Sequence, residues 1–89
     1  MKNIFILSKN EKVFVNFNNV ASIYIQEIYR PSRQWDIRAM YAAISEDVLY
    51  DILDTYYTEQ ECRNAFQKLC DCIANSREHE IINMQDLWH

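Results

Sequence analysis

Thr58-Glu59-Gln60-Glu61-Cys62-Arg63-Asn64-Ala65-Phe66-Gln67-Lys68-Leu69-Cys70-Asp71-Cys72-Ile73 is the stretch that decides the fold. Its first four residues form a capping box, in which the Thr58 hydroxyl and the Glu61 side chain satisfy backbone donors that a helix start leaves open. Cys62, Ala65, Phe66, Leu69 and Ile73 then recur at helical spacing and make one apolar stripe. Glu59 precedes Arg63 by four residues, the favourable order for an ion pair along a helix. The pattern predicts a helix ending near Asn75-Ser76, and its one-sided stripe requires a layer to lie against.

Upstream, the period changes to two. Asn3–Leu7 reads as a short strand, and Ser8-Lys9-Asn10-Glu11 as a turn. Lys12–Phe17 puts Val13, Val15 and Phe17 on one side, the signature of a half-buried strand. After a turn at Asn18-Asn19, Val20–Tyr29 sets Ala21, Ile23 and Ile25 against Ser22, Tyr24 and Gln26. Arg30-Pro31-Ser32-Arg33 breaks that strand, because proline removes a ladder donor. Trp35–Ala43 resumes the alternation, with Trp35, Ile37, Ala39, Tyr41 and Ala43 on one face.

Ser45–Tyr56 supports two readings. With period 2, Val48, Tyr50 and Ile52 alternate with Leu49, Asp51 and Leu53; with period 3.6, Ser45 caps a helix whose stripe is Val48/Leu49, Ile52/Leu53 and Tyr56. The strand is favoured, since the short Ile44–Asp47 connection suits pairing with Trp35–Ala43. Ile81–Met84 is a short apolar segment suited to an added strand, and Gln85–His89 is a tail ending in Trp88-His89. The expected architecture is therefore α+β: one domain over residues 1–89, an antiparallel meander of about five strands packed by one C-terminal helix, with a short extension.

The 89 residues have material for a single core, and 49% hydrophobic with 25% charged is the composition of a globular chain. No apolar run approaches a membrane span, and Met1–Leu7 is too short for a secretory h-region, which points to the cytoplasm. Three cysteines fit a reducing compartment, because Cys62, Cys70 and Cys72 all fall on the predicted helix, where none can reach another in disulfide geometry.

The chain contains no glycine, where average usage would give roughly six. That excludes a phosphate-cradling P-loop, a dinucleotide fingerprint and a nucleophile elbow, each of which needs close backbone approach or positive φ. Cys62-x7-Cys70-x-Cys72 matches none of the usual zinc spacings, and a Cys72–His79 pair has no third residue to orient it. Asp51 and Asp54 are three positions apart, so in a strand they face opposite ways and cannot act together as an acid–base pair. The expectation is a protein that is not an enzyme and needs no cofactor or metal.

Two surface features remain. Between Ala39 and Cys62 there is no Lys or Arg, while Glu46, Asp47, Asp51, Asp54, Glu59 and Glu61 contribute six negative charges. An acidic face of this kind can dock on a basic groove of a host protein, such as the nucleic-acid channel of a nuclease, with Glu46, Asp47, Asp51 and Asp54 as the contact. The second feature is Arg30, Arg33, Trp35 and Arg38 around one hairpin tip, a set able to clamp a phosphate or stack on a base. With a net charge of −4, extended nucleic acid is a poor partner, and a small anionic nucleotide suits that cluster better. A third reading is a purely structural or accessory module that self-associates, for instance as a homodimer, through an open sheet edge.

At Asn16-Phe17-Asn18-Asn19-Val20-Ala21-Ser22-Ile23, and again at Leu53-Asp54-Thr55-Tyr56-Tyr57-Thr58-Glu59-Gln60-Glu61-Cys62, the chain resembles a diffuse group of short uncharacterised proteins of Gram-positive bacteria and their phages. The shared pattern is a strand, an Asn-rich turn, further strands, then tyrosine, Thr-Glu and a helix, over about two-thirds of the chain. The group carries a small residue where Cys62 stands and often glycine where Asp54 stands. Some compact phage proteins of this style are anti-defence factors. The resemblance thus implies an inhibitor, encoded by a phage or mobile element, that blocks a defence component such as a CRISPR nuclease, or one that sequesters a nucleotide signal.

Overall fold

The computed structural model describes residues 3–41, 49–76 and 79–87. The chain runs through β1 (Ile4–Leu7), β2 (Phe14–Asn16), a 3-10 turn at Phe17–Asn19, β3 (Val20–Ile28), β4 (Gln34–Tyr41), β5 (Tyr50–Tyr56), α1 (Glu59–Ala74), β6 (Glu80–Asn83) and a 3-10 turn at Met84–Leu87. The α+β class, the strand-rich first half and the single long helix are as the periodicities predict. Among the described residues no helix is long and apolar enough to cross a membrane.

The helix forms where its caps place it. Thr58 is extended and its hydroxyl accepts the Glu61 N–H at 3.3 Å, while Arg63 pairs with Glu59 at 2.9 Å. Asn75 closes the other end. Cys62, Ala65 and Leu69 of the stripe are buried, and Phe66 and Ile73 pack beside them. Burial also pushes the Cys62 thiol up to about 11, so it stays protonated in neutral solution.

The strands form two sheets rather than one meander. One has the order β3-β4-β5, antiparallel throughout; the other has the order β2-β1-β6, with β6 parallel to β1. Asn18-Asn19 reads in sequence as a hairpin turn, but the Asn16 side chain accepts the Asn18 N–H at 3.0 Å and winds Phe17–Asn19 into a 3-10 corner. That corner directs β3 out of the first sheet and into the second. The Ser45–Tyr56 ambiguity resolves as a strand over Tyr50–Tyr56; residues 42–48, and with them Ala43, Ser45 and the Ile44–Asp47 connection, lie outside the described residues.

One core joins the two sheets and the helix. Ile4, Ile6, Val15 and Ile82 come from the β2-β1-β6 sheet; Trp35, Ile37, Ala39, Leu53 and Tyr56 come from β4 and β5. Cys62, Ala65 and Leu69 of α1 complete it, with Met84 and Leu87 of the final turn. Each fully buried Ile or Leu stabilises the fold by about 1.5–3 kcal/mol relative to exposure.

Two β-bulges shift the alternation. One lies between Val20 and Ser22, so Ala21, expected on the face of Ile23 and Ile25, is exposed instead. The other interrupts β5 opposite Ile37 and Arg38, adding one residue at Leu53. Without glycine, the left-handed positions among the described residues fall to Glu11 at φ 62° and His79 at φ 61°, at about 1–2 kcal/mol each.

Candidate functional site

The β5 bulge relocates the acidic candidates. Asp54 lies opposite Ile37 and Asp51 opposite Ala39, both buried core residues of β4, so the two carboxylates share one side of the strand. The expectation that they face apart holds for a regular strand and fails here by one inserted residue. Asp51 is half-buried and accepts a hydrogen bond from the Tyr41 hydroxyl; burial, with this bond added, pushes the Tyr41 phenol up to about 12. Asp54 is only 6% exposed and is therefore not a surface contact. Glu46 and Asp47 lie outside the described residues.

Asp54 sits at the floor of a cleft of about 390 Å³ between the Lys9-Asn10 turn and β5. Its Oδ1 accepts the Thr55 N–H at 2.7 Å and lies 3.9 Å from Lys9 Nζ, while the Lys9 backbone N–H donates to the Leu53 carbonyl at 2.9 Å. Oδ2 and the Tyr56 hydroxyl are both buried, close enough to influence each other but short of full hydrogen-bonding geometry with any described group. Burial raises the Asp54 carboxyl above its ordinary 3.8, and Tyr56, Thr55 and Lys9 oppose that only in part.

A raised folded-state value means the native protein binds this proton more tightly than the unfolded chain does. The stability it confers is complete below the unfolded value of 3.8 and is lost as pH rises through the higher folded value. Asp54→Asn is therefore expected to raise the unfolding midpoint at pH 7 and to flatten the stability profile above about pH 4. Urea titrations at several pH values check this, and an unchanged profile would show that the carboxylate is solvated.

The arginine cluster divides between two faces. Arg30 is exposed at the hairpin tip beside the cis Arg30–Pro31 bond. Arg33 lies 5.1 Å over the ring of Trp35, which is itself buried, and its guanidinium reaches Glu27 Oε1 at 2.6 Å. Glu27 also accepts the Tyr29 hydroxyl at 3.0 Å; hydrogen bonding from Arg33 and Tyr29 lowers the Glu27 carboxyl and raises both partners. Arg38 projects from the opposite face, where it pairs with Asp36 at 3.1 Å and lies 4.3 Å over the Tyr50 ring. Two of the guanidiniums proposed for an anion are thus neutralised by the chain's own carboxylates.

No family model, curated protein or solved structure matches this chain. Among the described residues no three His, Cys, Asp or Glu side chains converge as a metal-ligand set. His79 Nδ1 lies 3.2 Å from the Asn3 amide nitrogen.

Sequence reasoning missed the centre of the outer face of the β3-β4-β5 sheet. Asp36 is 1% exposed although it alternates with core residues, because Gln34, Thr55 and Arg38 all donate to it. The signal available was Asp36-x-Arg38, opposite charges two apart on one face of a strand. Around Arg38, its cross-strand neighbours Tyr24 and Ile52 and the nearby Tyr50 form an aromatic and apolar surface, with Tyr50 and Ile52 40% or more exposed.

Proposed function

We propose that this chain is a small binding protein that works in the cytoplasm by protein–protein contact, occupying the surface of a bacterial defence component and so blocking it. The observation that carries this reading is the character of residues 49–61. Leu49, Tyr50, Ile52 and Tyr57 are 65%, 43%, 40% and 72% exposed, Glu59 and Glu61 are exposed beyond them, and the span holds no Lys or Arg.

Tyrosines beside an arginine held in place by its own carboxylate are the residue types that concentrate binding energy, because they bury large areas with little loss of side-chain freedom. The carboxylates add steering toward a basic surface, such as the nucleic-acid channel of a nuclease, and Glu46 and Asp47 extend the acidic run in sequence. The resemblance to short uncharacterised proteins of Gram-positive bacteria and their phages, a style shared by some anti-defence factors, supports the defence setting. The internal pairing of Arg33 and Arg38 favours a protein partner over a nucleotide.

Affinity capture from host lysate with mass spectrometry supplies the partner, and titration calorimetry with the purified pair tests the surface. Tyr57→Ala combined with Tyr50→Ala is expected to weaken binding at least 30-fold, about 2 kcal/mol. Glu61→Lys is expected to slow association chiefly at low salt. Full affinity in the tyrosine double variant, with its circular dichroism unchanged, would exclude this surface.

A further inference from the structure

We propose that β3 is the edge through which two copies of this chain pair, antiparallel and centred on Tyr24. Among the described residues β3 stands at the end of the β3-β4-β5 order and, at nine residues, is the longest strand. An unpaired edge is a row of backbone donors and acceptors, and natural edges are blunted with lysine, proline, brevity or bulges. Val20–Gln26 has no charge and no proline, only the bulge at its start; Glu27, the one ionic residue of the strand, is engaged by Arg33.

The layer beneath is open too. Helix α1 packs chiefly on β4 and β5, and two hollows remain beside β3. One, of about 260 Å³, is lined by Val20, Ile23, Phe66 and Ile73 among others; the second, of about 250 Å³, by Ile25, Phe66 and Cys70 with Arg63 and Gln67. Ile23 and Ile25 mark the two hollows and stand two residues apart on one face, so the hollows repeat at about 7 Å, the side-chain period of a strand. The occupant that fits is an uncharged extended segment with apolar side chains at positions i and i+2.

β3 is itself such a segment. Antiparallel pairing about Tyr24 sets Ile23 opposite Ile25 of the second copy and Ser22 opposite its Gln26. The apolar residues then meet on the helix side and the polar ones on the outer side, with no like charges opposed. The edge is roughly 30 Å long and the molecule is 21 Å across its shortest dimension. That gives roughly 600 Å² per copy, below the ~800 Å² of a standard interface, as suits a reversible, micromolar dimer. With β4 between β3 and β5, the dimer leaves residues 49–61 of both copies free, making the protein bivalent.

Sedimentation equilibrium from about 1 to 200 µM tests this, a range that brackets such dissociation constants. The unmodified protein is expected to pass from monomer to dimer. Ser22→Lys with Gln26→Lys sets lysine against lysine at both flanks and is expected to remain monomeric throughout. Ser22→Glu with Gln26→Lys sets each lysine against a glutamate and is expected to dimerise at least as well as the unmodified chain. Neither position is in the core, and circular dichroism checks the fold of each variant. A strictly monomeric unmodified protein, undiminished pairing in the double-lysine variant, or no rescue by the glutamate–lysine variant would each overturn the proposal.

Discussion

Arg38→Met is expected to cost the fold about 3 kcal/mol, because it strands the buried charge of Asp36. The Arg38 side chain is 13% exposed and that of Asp36 only 1%, so water cannot take over the lost partner. Asp36 would keep the Thr55 hydroxyl at 2.9 Å and the Gln34 amide at 3.3 Å, two neutral donors where a cation stood. Adding Asp36→Asn removes the charge while preserving an oxygen for both donors, so the double variant should recover at least half the loss. Urea unfolding of the four proteins forms a double-mutant cycle. Equal stability of the single and double variants would mean that Asp36 is not an uncompensated charge in the single variant.

Ile6→Ala is expected to lower stability by about 3 kcal/mol and to do so for the whole molecule at once. Ile6 is fully buried in the β2-β1-β6 sheet, yet it belongs to the same cluster as Ile37 and Leu53 of the other sheet and Leu69 of α1. If one core joins the layers, the fluorescence of Trp35 in β4, read in a Trp88→Phe background, and the far-ultraviolet circular dichroism should shift by the same amount in one cooperative transition. A fluorescence midpoint that stayed in place while the dichroism moved would divide the molecule into two independently stable parts.

The helix was legible because everything that makes it is local: the Thr58 cap, the Glu59–Arg63 spacing and the stripe from Cys62 to Ile73 all lie within four residues of their partners. Strand positions were legible for the same reason. The division into two sheets was not, since it depends on a corner at Phe17–Asn19 and on a partner for β1 that arrives as Glu80–Asn83. Bulges are equally silent in an alternation pattern. One extra residue in β3 placed Ala21 outside, and another in β5 brought Asp54 to the core side, removing one of the four acidic residues from the contact that the charge run suggested. Asp36 escaped notice because its burial comes from the length of its neighbours, not from its place in the period.

The parallel pairing of Ile4–Leu7 with Glu80–Asn83 also sets an order in time. On the ribosome the first strand emerges early, but the flank that β6 will cover stays bare until the codons beyond position 80 have been read, and Met84 and Leu87 take their places in the core later still. Contacts this distant in sequence form slowly. A nascent chain stalled before that point would present β1 to quality-control proteases with one side unpaired, so intact product and truncated product should differ sharply in cellular lifetime.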